Sequence, residues 1–202
     1  MPSVYDLKPR FQALLRPIVK GLAKNGVTAN QVTIAALLLS VIVGVLLVLF
    51  PQSVTVLWLV PVVLFVRMAL NAIDGMLARE HDQKSALGGL LNEVGDVVSD
   101  VALYLPFAWL NGMPETLVII VIAVMLITEV AGLATIQVGA SRRYDGPMGK
   151  SDRAAVFGLI AILLALNISV SAWVDYFWMA IIVLLCLTVV NRMKLGLAEL
   201  RT

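Results

Sequence analysis

Residues 71–100 read NAIDGMLAREHDQKSALGGLLNEVGDVVSD. Acids, amides, an arginine and glycines crowd together there, in a chain that is otherwise greasy. The chain has 202 residues, is 60% hydrophobic and has a mean hydropathy of +0.96, whereas a soluble domain is about 45–50% apolar. A chain this apolar belongs in a membrane. Its length suits one compact helical unit, so a single membrane domain over residues 1–202 is expected.

Around the polar stretch, six runs are long and apolar enough to be read as spans. They cover about 30–50, 54–77, 86–110, 116–139, 154–171 and 176–192, given the ~20 residues a helix needs to cross a bilayer. They do not alternate as barrel strands do, so the expected fold is an all-α integral membrane protein. Ahead of them, residues 3–23 place Leu7, Phe11, Leu14, Leu15, Ile18 and Leu22 at helical spacing, with basic residues mostly between. That pattern predicts an amphipathic interfacial helix, in which Pro9 and Pro17 are candidate breaks. No signal peptide is expected, because the first residues are basic and lack a short apolar core.

The charges fix an orientation. The N-terminal segment, the connections AREHDQK and SRRYDGPMGKSDR and the tail NRMKLGLAELRT are basic, while the connections around PQS, NGMPET and NISVSAWVD hold no Lys or Arg. By the positive-inside rule both termini and the two basic loops are expected in the cytoplasm. Trp58, Trp109, Trp173 and Trp178 fall near the opposite ends, as an external aromatic belt would. The single Cys186 excludes a disulfide framework or a Cys-rich metal site. Formal net charge is only +2, and no nucleic-acid partner is expected.

The polar stretch then spans the cytoplasmic end of the second helix, a short loop and the start of the third. At about 100° per residue Asn71 and Asp74 share one helix face, and Asn92, Glu93, Asp96 and Asp100 fall within one quadrant of the next. Intramembrane carboxylates are costly and face the bundle interior or a wet cavity. Several of them together repel unless a cation intervenes, and oxygen-only donors suit hard divalent ions such as Mg²⁺, Mn²⁺ or Ca²⁺. Gly75, Ala78, Gly88 and Gly89 let helices or a ligand approach closely. Arg79, at the membrane surface, suits a phosphate. A hydrogen-bonded helix contact, or an ion or proton path, is the competing reading of the same residues.

Asn71, Asp74, Gly75, Ala78, Arg79, Gly88, Asn92 and Asp96 fit the spacing of a long signature, D-x2-D-G-x2-A-R-x8-G-x3-D-x3-D. It is the signature of the CDP-alcohol phosphotransferase (phosphatidyltransferase) family, which the chain resembles. Asparagine replaces the first and third aspartates, as in a bacterial branch of the family. VTANQVTI, at 27–34, is similar to the family's approach to its first span, and MGKSDR, at 148–153, to its phosphate-acceptor region. The resemblance implies transfer of a phosphatidyl or other substituted phosphoryl group from a CDP-linked donor, CDP-diacylglycerol foremost, to an alcohol, with release of CMP. It implies a phospholipid-biosynthetic enzyme of the bacterial inner membrane, its site facing the cytoplasm, and a homodimer. The cofactor implied is Mg²⁺ or Mn²⁺, one or two ions, held by Asn71, Asp74, Asn92 and Asp96, with Glu93 and Asp100 as helpers. Asp96 is also the implied base for the acceptor hydroxyl. Gly75, Ala78, Arg79, Gly88 and Thr33 would form the nucleotide pocket.

The two asparagines leave two formal negative charges in the signature where its aspartates would give four, which should weaken binding of a second ion. Two alternatives therefore stand beside the enzyme. One is a catalytically degenerate nucleotide- or lipid-binding protein, and the other an ion or proton transporter. Lys150 and Arg153 are candidates for an acceptor or lipid phosphate, while Arg142 and Arg143 read as positive-inside anchors. Glu129 lies inside the fourth span and is expected to pair with Arg67 or to serve function directly. Asn30 and Thr33 are expected to cap the first span or touch the nucleotide.

Overall fold

The computed structural model describes residues 4–201, with side chains from Phe11 onward. The described residues form helices and turns, without strands: α1 Val4–Lys24, α2 Ala29–Leu49, α3 Val54–Glu80, α4 Ala86–Tyr104, α5 Glu115–Gln137, α6 Lys150–Ala165 and α7 Val174–Glu199. A 3₁₀ turn, Leu105–Trp109, follows α4. By length and composition α2, α3, α5 and α7 are able to cross a membrane. The fifth predicted span is short as a helix, because α6 has 16 residues.

Local chemistry sets these boundaries. α1 runs unbroken across Pro9 and Pro17. It ends where Gly26, at φ +73°, lets the Gly26 and Val27 amides bond back to Ala23 and Leu22. This is a Schellman cap on a left-handed glycine. α2 starts with a capping box: Gln31 N donates to Thr28 Oγ1 at 3.3 Å, and Thr28 N to Gln31 Oε1 at 2.9 Å. The cap is thus Thr28, rather than Asn30 or Thr33. Pro106 sits within the 3₁₀ turn that replaces the end of the third predicted span. α6 stops earlier than hydropathy suggests because Asn167 takes φ +56°. The Asn167 and Ile168 amides bond back to Leu164 and Leu163, again a Schellman cap.

The chain divides into two compact units, Met1–Ile42 with Val62–Asp100, and Val43–Pro61 with Val101–Thr202. In the first, α1 packs on the start of α2 and the end of α3 through Leu15, Val19, Ala29, Val32, Ile73, Met76 and Leu77. Each of the larger side chains here, Ala29 aside, contributes about 1.5–3 kcal/mol on burial. Leu14 and Ile18, 73% and 52% exposed, form a second apolar edge of α1. Arg16 donates to Glu80 through Nε at 3.2 Å and Nη2 at 2.9 Å, which ties α1 to the end of α3. That bond raises the guanidinium's hold on its proton.

In the second unit α5 packs on α7 and on the 3₁₀ turn. Phe157 stacks on Tyr104 at 4.1 Å and meets Phe107 and Trp178 at 5.0 and 5.1 Å. Trp178 is fully buried in this cluster, so it is a core residue and not part of a surface belt; Trp58, Trp109 and Trp173 are exposed. Gly196 allows α7 to approach α5, since a Cβ there would lie 2.5 Å from Thr135.

Candidate functional site

Five residues, 81–85, join α3 to α4. So short a link turns the second helix back antiparallel to the first. Their polar faces meet in register. Arg67 Nη1 donates to Asp100 Oδ1 and Nη2 to Asp96 Oδ1 at 3.3 Å. One turn nearer the loop, Asn71 Nδ2 donates to the same Asp96 oxygen at 2.9 Å. Steps of four on both helices build this ladder: 67 to 71, and 96 to 100. Arg67, Asp96 and Asp100 are 6%, 8% and 3% exposed, so the ladder is buried.

Above the ladder lies a cavity of about 400 Å³, lined by Ala29, Asn30, Thr33, Asn71, Asp74, Gly75, Ala78, Arg79, Gln83, Lys84, Ser85, Gly88, Gly89 and Asn92. Of the eight signature positions, seven are in that lining and Asp96 is not. Glu93 and Asp100, expected as helpers, are also absent from it among the described residues. Asp74 accepts a 2.8 Å hydrogen bond from Thr33 Oγ1, whose single proton is shared with the Ala29 carbonyl at 3.1 Å. Thr33 therefore orients the carboxylate that faces the cavity.

Two glycines shape the wall. A Cβ on Gly75 would lie 3.0 Å from Arg79 Nη2, so the bare glycine makes room for the guanidinium. A Cβ on Gly88 would lie 2.7 Å from Asn30 Oδ1 and 3.0 Å from Ser85 Oγ. Gln83 clamps the loop to the start of α2: Ala29 N donates to its Oε1 at 2.7 Å, and its Nε2 donates to the Val27 carbonyl at 3.4 Å.

The donor set suits a hard cation. The cavity offers the Asp74 carboxylate and the amides of Asn71 and Asn92, all oxygen donors of the kind Mg²⁺ and Mn²⁺ accept. Among the described residues no group of three or more His, Cys, Asp or Glu could hold a metal by itself, so the amide oxygens would have to complete the set.

The second unit gathers cations around Glu129. Arg153 Nη2 lies 2.9 Å from Glu129 Oε1, Arg142 Nη2 3.1 Å from Oε2, Arg192 Nη1 3.5 Å from Oε1 and Lys150 Nζ 3.9 Å from Oε2. Arg153 and Arg192 are each 1% exposed. Asp152 Oδ2 accepts from Gly149 N at 2.9 Å and closes the first turn of α6, which presents Lys150 and Arg153. Four cations of its own unit gather on Glu129, and Arg67 meets Asp96 and Asp100. Arg142, read from the sequence as an anchor, belongs to this cluster. Arg143 joins Glu199 at 2.7 Å, nearer the exposed end of α7.

Sequence reasoning missed Arg67 and Arg192 as parts of these clusters. For Arg67 a signal existed, since it stands one helical turn before Asn71. Arg192 was hidden in a basic tail that reads as an anchor.

A signature on one cavity, within an all-helical fold able to cross a membrane, defines a membrane transferase acting on a CDP-linked substrate. The chain belongs to the CDP-alcohol phosphatidyltransferase family, whose profile matches residues 26–190. It is 47% identical over 192 residues to the inner membrane protein YnbA of Escherichia coli (strain K12), covering 95% of each chain. It is 30% identical over 145 residues to the archaetidylinositol phosphate synthase of Pyrococcus horikoshii, covering 68% of this chain and 74% of that one. Its fold matches the phosphatidylinositol phosphate synthase PgsA1 of Mycobacterium tuberculosis in complex with manganese and citrate. That match has TM-score 0.72 at 22% identity and covers 89% of this chain and 87% of that one. The same enzyme with CDP-DAG bound matches with TM-score 0.67, covering 89% and 92%.

Proposed function

We propose that the chain transfers a substituted phosphoryl group, phosphatidyl foremost, from a CDP-linked lipid donor to an alcohol and releases CMP. The observation that carries this reading is the convergence of seven signature positions on one cavity. In this reading Asp74 and Asp96, with the amide oxygens of Asn71 and Asn92, hold Mg²⁺ or Mn²⁺. The ion's chemistry is to neutralise the pyrophosphate and the leaving CMP. Gly75, Ala78, Gly88 and Thr33 shape the nucleotide pocket, and Arg79 meets its phosphates. Asp96 takes the acceptor's proton, and a base held in hydrogen-bond reach typically contributes 10²–10⁴-fold.

Lys150 and Arg153, with Arg142 and Arg192, have the charge to recognise an anion, either a phosphate on the acceptor or a lipid headgroup. The cluster holds four cations around one carboxylate, which supports that role. The relatives that make phosphorylated inositol lipids are consistent with it.

The wider reading is one membrane domain of six spans, α4 with its 3₁₀ turn and α6 being the two shorter ones. Both termini and the cavity face the cytoplasm, and the protein is a homodimer. Orientation is testable with single cysteines at Asp82 and at Asn111 in a Cys186→Ser background. A membrane-impermeant thiol reagent applied to spheroplasts should label the Asn111 site and spare the Asp82 site. The reverse pattern would reject the orientation.

Activity is tested by CMP release from CDP-diacylglycerol by purified protein with Mn²⁺ and a panel of alcohols. Asp74→Ala should reduce release at least 100-fold. Bound CDP without turnover for every donor and acceptor would favour the degenerate reading.

A further inference from the structure

We propose that Lys84 is a substrate-binding residue of the cavity, holding a phosphate of the CDP-linked donor beside Arg79. This deepens the reading above and rests on it for the identity of the donor.

The cavity lining carries three formally charged side chains, Asp74, Arg79 and Lys84. Asp74 and Arg79 belong to the signature. Lys84 falls between Arg79 and Gly88, a stretch that the signature leaves open. Its backbone is pinned on both sides. The preceding residue, Gln83, bonds twice to the start of α2 and the residue before it, through Ala29 N and the Val27 carbonyl. The following residue, Ser85, accepts from Gly88 N through its Oγ and from Gly89 N through its carbonyl, each at 3.0 Å. Those two bonds close the first turn of α4. The ammonium itself is uncommitted. Among the described residues Lys84 makes no hydrogen bond or ion pair, whereas Arg16 of the same unit is held by Glu80 at 2.9 Å. A pinned backbone that carries a free ammonium on a cavity wall suits an incoming anion. Lysine is a compact point charge with three donors on a flexible stem, and phosphate is an anion that such a charge binds. Asn71 and Asn92 add neutral amides to the wall. Among the described residues of the lining, the cations Arg79 and Lys84 thus outnumber the one carboxylate, Asp74.

The test is CDP affinity, measured by calorimetry on full-length purified protein in detergent with Mn²⁺. Lys84→Met should weaken CDP binding about ten-fold or more, the scale of one hydrogen bond between charged groups. Lys84→Arg keeps the charge and should stay within about three-fold of wild type. Lys24→Met, at the exposed end of α1 and outside the lining, should leave CDP affinity unchanged. Mn²⁺ binding, titrated without nucleotide by the electron paramagnetic resonance of free Mn²⁺, should not weaken in Lys84→Met, because Lys84 holds the donor and not the ion. Unchanged CDP affinity in Lys84→Met would overturn the proposal, since the lysine would then serve only to orient the chain in the membrane. An equal loss in Lys84→Arg or in Lys24→Met would overturn it as well, as would weaker Mn²⁺ binding in Lys84→Met. Each of those results leaves the enzymatic reading standing. Failure of wild type to bind CDP sinks both. CDP binding that depends on Lys84, without CMP release from any donor, supports the inference and sinks only the enzymatic reading.

Discussion

Asn71 has two chemically different ends. Its Nδ2 end donates to Asp96, which leaves Oδ1 as the atom that would ligate an ion in the proposed reading. Asn92, on the same cavity, likewise offers an oxygen without a formal charge. Changing both to Asp should tighten Mn²⁺ binding ten-fold or more in the same titration. In EDTA the double variant should melt at a lower temperature than wild type, because the new carboxylate on α3 would face Asp96 with no proton to donate. Saturating Mn²⁺ should restore the difference. An unchanged Mn²⁺ affinity would mean that these amides are not ligands. Both positions were legible in the sequence because the signature numbers them. Arg67 was only half legible: it stands one helical turn before Asn71, but the signature starts at Asn71 and nothing in its own apolar helix names a partner. Only the facing register of α3 and α4 identifies Asp96 and Asp100 as that partner.

α1 separates its two apolar edges cleanly. Leu15 is 6% exposed and packs with Val19 on α2 and α3, while Leu14 is 73% exposed. Leu15→Ala should cost about 2–5 kcal/mol, seen as a lower midpoint in detergent melting. Leu14→Ser should change stability by about 0.5 kcal/mol or less, yet weaken attachment of α1 to lipid. Equal effects of the two would contradict the packing. Amphipathic spacing located α1 and hydropathy the helices after it, but several of their ends are set by short-range hydrogen bonds. The left-handed Asn167 stops α6. Pro106 converts the end of the third apolar run into a 3₁₀ turn, and Thr28 with Gln31 starts α2. None of these changes the apolarity of its surroundings, so a hydropathy window passes over them.

Each of the two units gathers buried charge in a different way. The first unit surrounds one guanidinium with carboxylates, and the second surrounds one carboxylate with cations. Glu129 is 4% exposed, and removing one partner of a buried ion pair typically costs about 3–5 kcal/mol. Glu129→Gln should therefore lower the melting temperature markedly. Inorganic phosphate should recover more of the loss in the variant than it adds to wild type. If phosphate has no differential effect, an anion-recognition role for Lys150 and Arg153 loses its support. The basic residues of this cluster were visible in the sequence as a topogenic pattern. Their convergence on Glu129 was not, because it draws residues from α5, α6, α7 and the α5–α6 connection.

The Gln83 clamp has a consequence in the time domain. The first amides of a helix have no partner inside it and exchange quickly with deuterium. Ala29 is such an amide, but Gln83 holds it from across the cavity mouth at 2.7 Å. Its exchange should be slow, and should become fast in Gln83→Ala while the amides in the middle of α2 stay protected. The rate at that one proton then counts how often the α3–α4 loop lets go.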